Sequence, residues 1–192
     1  GEQPIFLEMR SVKFQWGGKE ATLVFLRDVT EQKQMQDNLV YLAQRDPLTG
    51  LANRTSLMDY LKKAIASVSQ SKNGLVAVFF LHIDRLGRIN DTLGHAMGDL
   101  LLKEITKRLT IFTRGDDNAA RVSGDEFVVI LSNLIPMEAV SSVAQKMIDR
   151  LSEPYFLKGN EWEITLSIGI SICPNDARDP ETLLEYAEMA LH

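Results

Sequence analysis

The stretch Leu75-Val-Ala-Val-Phe-Phe-Leu-His-Ile83 is apolar at nearly every position. A strand with one face in water alternates apolar and polar side chains, so a continuous run of this length belongs to a strand covered on both faces. It is expected in the middle of a sheet, with helices above and below. The remainder of the chain has to supply that sheet and its cover.

Helical cover is readable on both sides of the run. Arg54 to Ser69 carries Leu57, Tyr60, Leu61 and Ile65 at helical spacing, after the turn-rich connector Asp46-Pro-Leu-Thr-Gly-Leu51. A helix from about Gly98 to Phe112 places Leu101, Leu102, Ile105 and Leu109 on one face, another spans Pro136 to Leu151, and Pro180 opens a last one to His192. Between them, Arg121-Val-Ser-Gly-Asp-Glu-Phe-Val-Val-Ile-Leu131 reads as a hairpin and Tyr155 to Cys173 as β-prone segments. A hairpin inside a helix–strand alternation argues for an α+β (α/β) domain with a central, mostly antiparallel sheet, rather than a Rossmann-type parallel one.

Upstream of this domain, Ile5–Phe14 and Ala21–Leu26 flank Gly17-Gly18 as a hairpin too small to fold alone. Thr30 is expected to cap a helix over residues 29–45, whose Met35, Leu39 and Leu42 form a stripe. That stripe suits a short coiled coil with a second copy and packing on its own domain equally well.

At 192 residues, 45% hydrophobic and 24% charged, the chain holds one full core and an appendage. A net charge of −5 with scattered basic residues gives no nucleic-acid surface, so any bound nucleotide is a small one. Cys173 is the single cysteine and forms no internal disulfide, which agrees with a reducing, cytoplasmic setting. No apolar run reaches membrane-span length, the start Gly-Glu-Gln-Pro lacks a signal-peptide layout, and His82, His95 and His192 have no zinc spacing.

The hairpin carries the chemistry. Asp125 and Glu126 follow a Ser-Gly turn, which fits either a solvated surface turn or a pair of acids holding a divalent cation against a phosphate. Three further segments decide between these: Asp46-Pro-Leu-Thr-Gly-Leu-Ala-Asn-Arg54, Ile89-Asn-Asp-Thr-Leu-Gly-His-Ala-Met-Gly-Asp99 and Leu166-Ser-Ile-Gly-Ile170. In this order and spacing, over about residues 40–192, they and the Arg121–Phe127 segment resemble the GGDEF family of diguanylate cyclases. Members join two GTP molecules into cyclic di-GMP on a palm-like sheet related to nucleotidyl cyclases.

The resemblance implies a layout of 1–28 as the tail of a PAS sensor domain, 29–45 as its linker helix and 46–192 as the GGDEF domain of a bacterial, cytoplasmic signalling protein. Asn90 and Asp99 then read the guanine base, with His95 nearby; a carboxylate and an amide suit the N1–H and N2–H donors of guanine. On the residues alone, Asn90-Asp91 caps a turn and Asp99 caps the next helix. Arg121 and Gly124 join the substrate-binding set, Gly124 because it lets the backbone approach a phosphate. Asp125 and Glu126 are the catalytic acids and, with Asp84 and the Ile83 carbonyl, the ligands of Mg²⁺ or Mn²⁺. Arg114 and Asp117 sit where members carry an Arg-x-x-Asp inhibitory site for the product.

The departures from the family pattern are as informative. Members carry Asp-x-Asp-x-Phe-Lys where this chain has His82-Ile-Asp-Arg-Leu-Gly87, so His82 replaces a metal-binding Asp and a phosphate-facing Lys is absent. An imidazole offers nitrogen and no charge to a hard cation, which weakens a Mg²⁺ site. The family's Lys and Arg after the last helix lie beyond Ala190-Leu191-His192. The expected function is a GTP- and cyclic di-GMP-binding signalling domain with weak or lost cyclase activity. An active, homodimeric cyclase is the alternative, and a structural relay between the PAS side and a downstream phosphodiesterase-like domain is another.

Overall fold

A computed structural model describes residues 4–69, 74–113, 118–132 and 137–191. The chain divides into compact units at residues 1–43 and 44–192.

In the first unit, β1 (Leu7–Trp16) and β2 (Lys19–Asp28) pair antiparallel in unbroken register, from Leu7 opposite Asp28 to Trp16 opposite Lys19. The two-residue turn needs left-handed backbone, and Gly17 and Gly18 supply it at φ 57° and 77°. Helix α1 (Thr30–Gln44) follows. Thr30 does not act as the expected cap: its hydroxyl accepts from the Phe6 N–H, and the Asp28 carboxylate instead takes the Thr30 N–H. The Met35–Leu39–Leu42 stripe is exposed.

The second unit contains α2 (Arg54–Ser69), β3 (Val76–Ile83), α3 (Leu86–Leu93), α4 (His95–Leu109), β4 (Asn118–Ser123), β5 (Glu126–Ser132), α5 (Val140–Leu151), β6 (Tyr155–Leu157), β7 (Asn160–Trp162), β8 (Leu166–Cys173) and α6 (Pro180–Met189). The sheet order is β4-β5-β3-β8, antiparallel throughout, with β6 and β7 forming a small separate hairpin. The apolar run is thus an interior strand, as its composition requires.

Alternation along β3 sends Ala77, Phe79, Leu81 and Ile83 into one core and Val76, Val78 and Phe80 into the other. The first is closed by α4 and α5 through Leu101, Ile105, Leu109 and Met147; the second by α2 and α6 through Leu57, Leu61, Leu183 and Ala187. Phe79 and Phe80 are at most 1% exposed, and each fully buried ring of this kind stabilises by about 1.5–3 kcal/mol. On β8, Gly169 admits α6: a Cβ there would lie 1.9 Å from the Ala187 carbonyl oxygen and 2.6 Å from the Leu191 nitrogen.

The helices differ from expectation at their ends. α4 starts at His95 and gives way to a 3-10 turn at Thr110–Phe112; α5 starts at Val140 after a 3-10 turn; α6 stops at Met189. More consequential is α3, because Asn90-Asp91 lies inside a helix rather than capping a turn. Asp99 sits more than one turn into α4, where Gly94 is the N-cap.

Candidate functional site

The β4–β5 turn is held from within. The Arg121 guanidinium donates from Nε and Nη2 to the Gly124 carbonyl at 3.1 and 2.7 Å, and from Nη1 to both carboxylate oxygens of Asp46 at 3.1 and 3.3 Å. Arg121, 13% exposed at its side chain, is therefore engaged by protein groups, and its fork fixes the turn that presents Asp125 and Glu126. Asp46 also accepts from the Thr49 N–H and hydroxyl at 2.8 and 2.5 Å. Burial pushes the Asp46 carboxyl up, but the Thr49 hydrogen bonds and the Arg121 charge outweigh it and leave its pKa below the ordinary carboxylate value. The connector is stitched on by backbone as well, Arg121 N–H donating to the Ala52 carbonyl at 2.9 Å. Together these elements line a cavity of about 430 Å³ that includes Arg45, Asp46, Arg54 and Arg121.

The sequence alone assigns Asp46 no role beyond its place in the connector. The signal was present in Asp46-x-x-Thr49, an Asx-type turn, but its partner is 75 residues away.

Across the sheet from the turn, the β3–β5 register sets His82 opposite Glu126, and β3–β8 sets it opposite Ser167. The His82 Nδ1 lies 3.8 Å from the Asp125 carboxylate, and the Ile83 N–H donates to the Asp125 carbonyl at 3.0 Å. The structure thus brings His82, Ile83, Asp125 and Glu126 to one end of the sheet. Glu126 accepts from the Ser123 hydroxyl at 2.5 Å. Asp84 turns to β8, accepting from the Thr165 and Ser167 hydroxyls at 2.7 and 3.3 Å.

The oxygen donors at this end of the sheet are the Asp125 and Glu126 carboxylates, with the His82 imidazole beside Asp125. Among the described residues no three His, Cys, Asp or Glu side chains are gathered as metal ligands, and an imidazole nitrogen is a poorer partner for a hard cation than a carboxylate oxygen.

Asn90 projects from α3 onto α4. Its Oδ1 is buried without a hydrogen-bond partner, and a Cβ on Gly98 would lie 2.0 Å from it. Gly98 is thus the cradle for this amide, next in sequence to Asp99. Asp99 and His95 are exposed on α4. A buried acceptor with no partner costs about 1–3 kcal/mol, and a ligand N–H donor reaching this cleft would remove that cost. Arg114 and Asp117 lie outside the described residues.

Comparison with known proteins adds the family. The family model described as "Diguanylate cyclase, GGDEF domain" matches residues 43–192. The cyclic di-GMP phosphodiesterase NbdA of Pseudomonas aeruginosa is 39% identical over 155 residues, 81% of this chain and 20% of its own length. A sensory box/GGDEF family protein of Caulobacter crescentus superposes with a TM-score of 0.73 at 38% identity, covering 77% of this chain and 95% of that one. The GGDEF domain of TpbB from Pseudomonas aeruginosa gives 0.71 at 36% identity, covering 74% and 89%. The chain spans about a fifth of the length of the first curated relatives it matches. No helix among the described residues is long and apolar enough to cross a membrane. With the antiparallel sheet, the acidic β4–β5 turn and the Asn90–Asp99 segment in their places, the chain belongs to the GGDEF family of diguanylate cyclase domains.

Proposed function

We propose that the chain is a cyclic di-GMP signalling domain that binds guanine nucleotide and has weak or lost cyclase activity. The observation that carries this reading is the separation of two fates at one site. The base-reading side is retained, with Asn90 Oδ1 buried and unpartnered beside Gly98 and Asp99. The cation side has His82 beside Asp125, in the place of an acid. Nucleotide recognition then rests on Asn90 and Asp99, with His95 near and the Gly124 backbone open to a phosphate. In-line attack lacks the charge neutralisation that phosphoryl transfer requires.

An active cyclase is the second reading, favoured by the retention of Asp125 and Glu126 on a turn pinned by Arg121. Such an enzyme works as a homodimer, each GTP-loaded domain meeting the other. In either case residues 1–28 are the end of a PAS domain, 29–45 its linker, Arg114 and Asp117 the product-inhibitory pair, and the setting is bacterial and cytoplasmic. A phosphodiesterase-like domain downstream fits the low share of relatives such as NbdA that the chain covers.

Calorimetry with GTP, combined with a cyclic di-GMP assay in Mg²⁺ and in Mn²⁺ on a chain extended beyond His192, tests the proposal. Saturable binding that disappears in Asp99→Ala, with little or no product, is the expected result. Cyclic di-GMP formed at rates ordinary for the family overturns the lost-activity reading, and absence of GTP binding overturns the domain's role as a nucleotide receptor.

A further inference from the structure

The opposite face of α3 from the Asn90–Gly98 contact lines a separate cavity of about 690 Å³. Its walls include Arg85, Arg88, Ile89 and Thr92, which share one helical face, Trp162 at the end of β7, and Glu163 and Ile164 between β7 and β8. Neither Asn90, Asp99 nor the Ser123–Glu126 turn is part of this lining. The volume is that of a small-molecule pocket.

Its chemistry narrows the occupant. Arg85 is held at φ 60°, ψ 21°, a left-handed conformation costly for a residue with a Cβ. Neither Arg85 nor Arg88 has a side-chain hydrogen bond or ion pair among the described residues, so two guanidinium groups stand at the mouth free to take an anion. Trp162 supplies a broad ring, and its indole N–H is buried without an acceptor. Ile164 is 5% exposed and gives an apolar floor. Asp84 and Glu163 also line the cavity, and their charges oppose a polyphosphate, while the neighbouring Arg85 and Arg88 guanidiniums can still take a single carboxylate.

We infer that this cavity is a binding site for a small aromatic monocarboxylate, the carboxylate on Arg85 and Arg88 and the ring against Trp162. Because α3 carries this face and Asn90 on its other side, an occupant fixes the helix that presents Asn90 to the nucleotide cleft. Binding in this cavity does not require the nucleotide-binding proposal, although Asp84 lines it; only the coupling through Asn90 rests on that proposal.

The two tryptophans of the chain are Trp16 and Trp162, so a Trp16→Phe variant leaves Trp162 as the sole indole reporter. Titration of that variant with benzoate, followed by emission and by calorimetry, is expected to give a saturable change. Benzamide, the uncharged analogue, is expected to bind about tenfold or more weakly, as is benzoate to Arg85→Ala/Arg88→Ala. Arg88→Lys retains the charge and restores part of the affinity, which separates anion recognition from a folding defect. Asp99→Ala leaves benzoate binding unchanged. A non-saturating titration, equal binding of benzoate and benzamide, or undiminished binding in the double variant overturns the inference.

Discussion

Gly98 would carry a Cβ 2.0 Å from the Oδ1 of Asn90, so the absence of a side chain on α4 is what allows the amide on α3 to occupy the cleft. The obstacle is the end of a flexible side chain, which can rotate away. Gly98→Ala is therefore expected to leave the thermal midpoint within a few degrees of the parent while weakening GTP about tenfold or more, measured by calorimetry. A variant that binds GTP normally would show that Asn90 has no part in the pocket.

His82→Asp places an oxygen donor beside Asp125 on a strand end already framed by Glu126 and Ser167. In a chain extended past His192, cyclic di-GMP production in Mg²⁺ is expected to rise by on the order of tenfold. The parent should favour Mn²⁺ over Mg²⁺, and the variant should narrow that preference. If the variant gains nothing, His82 is not what limits activity, and the Leu86-Gly87 difference becomes the one to test.

Acid should loosen the clamp between Asp46 and Arg121. The folded-state pKa of Asp46 is depressed, so its contribution is complete above the ordinary carboxylate value of about 3.9 and is lost as pH falls through the lowered folded value. Asp46→Asn is expected to cost roughly 2 kcal/mol near neutral pH, from the loss of charge-assisted hydrogen bonds. Urea unfolding curves of parent and variant should converge as pH falls through that lowered value. A pH-independent difference would mean that the charge of Asp46 is not what matters.

At Gly169 the neighbour is backbone: the Ala187 carbonyl lies 1.9 Å from where a Cβ would be. Neither the strand nor the helix can yield by a rotamer change. Gly169→Ala is expected to destabilise by roughly 2–3 kcal/mol, seen as a lowered urea midpoint with an unchanged slope. This is the reverse of the Gly98→Ala pattern, in which binding falls and stability holds.

The interior strand was legible because covering both faces leaves no room for polar alternation, and Val76–Leu81 obeys that rule without exception. The amphipathic α2 was legible for a related reason, its buried Leu57, Leu61 and Ile65 recurring at helical spacing. α3 was not, since Gly87, Asn90, Asp91 and Thr92 are weak helix formers; the helix is held by tertiary packing of Leu86 and Ile89. In the site, the acidic turn could be placed from its Gly and its flanking strands. The Asp46–Arg121 clamp could not, because residues 75 apart meet only through the fold. The seat of Asn90 against Gly98 likewise depends on how α3 crosses α4, which no residue pattern specifies.

The β3 strand has a consequence for substitution. Its interior residues belong to two cores, while His82 sits at the end of the same strand and touches groups that neither core needs. Chemistry at that end can be altered by exchanging one residue without disturbing the architecture. The sheet can therefore accept a different side chain at position 82 while both cores, and the fold they hold, stay as they are.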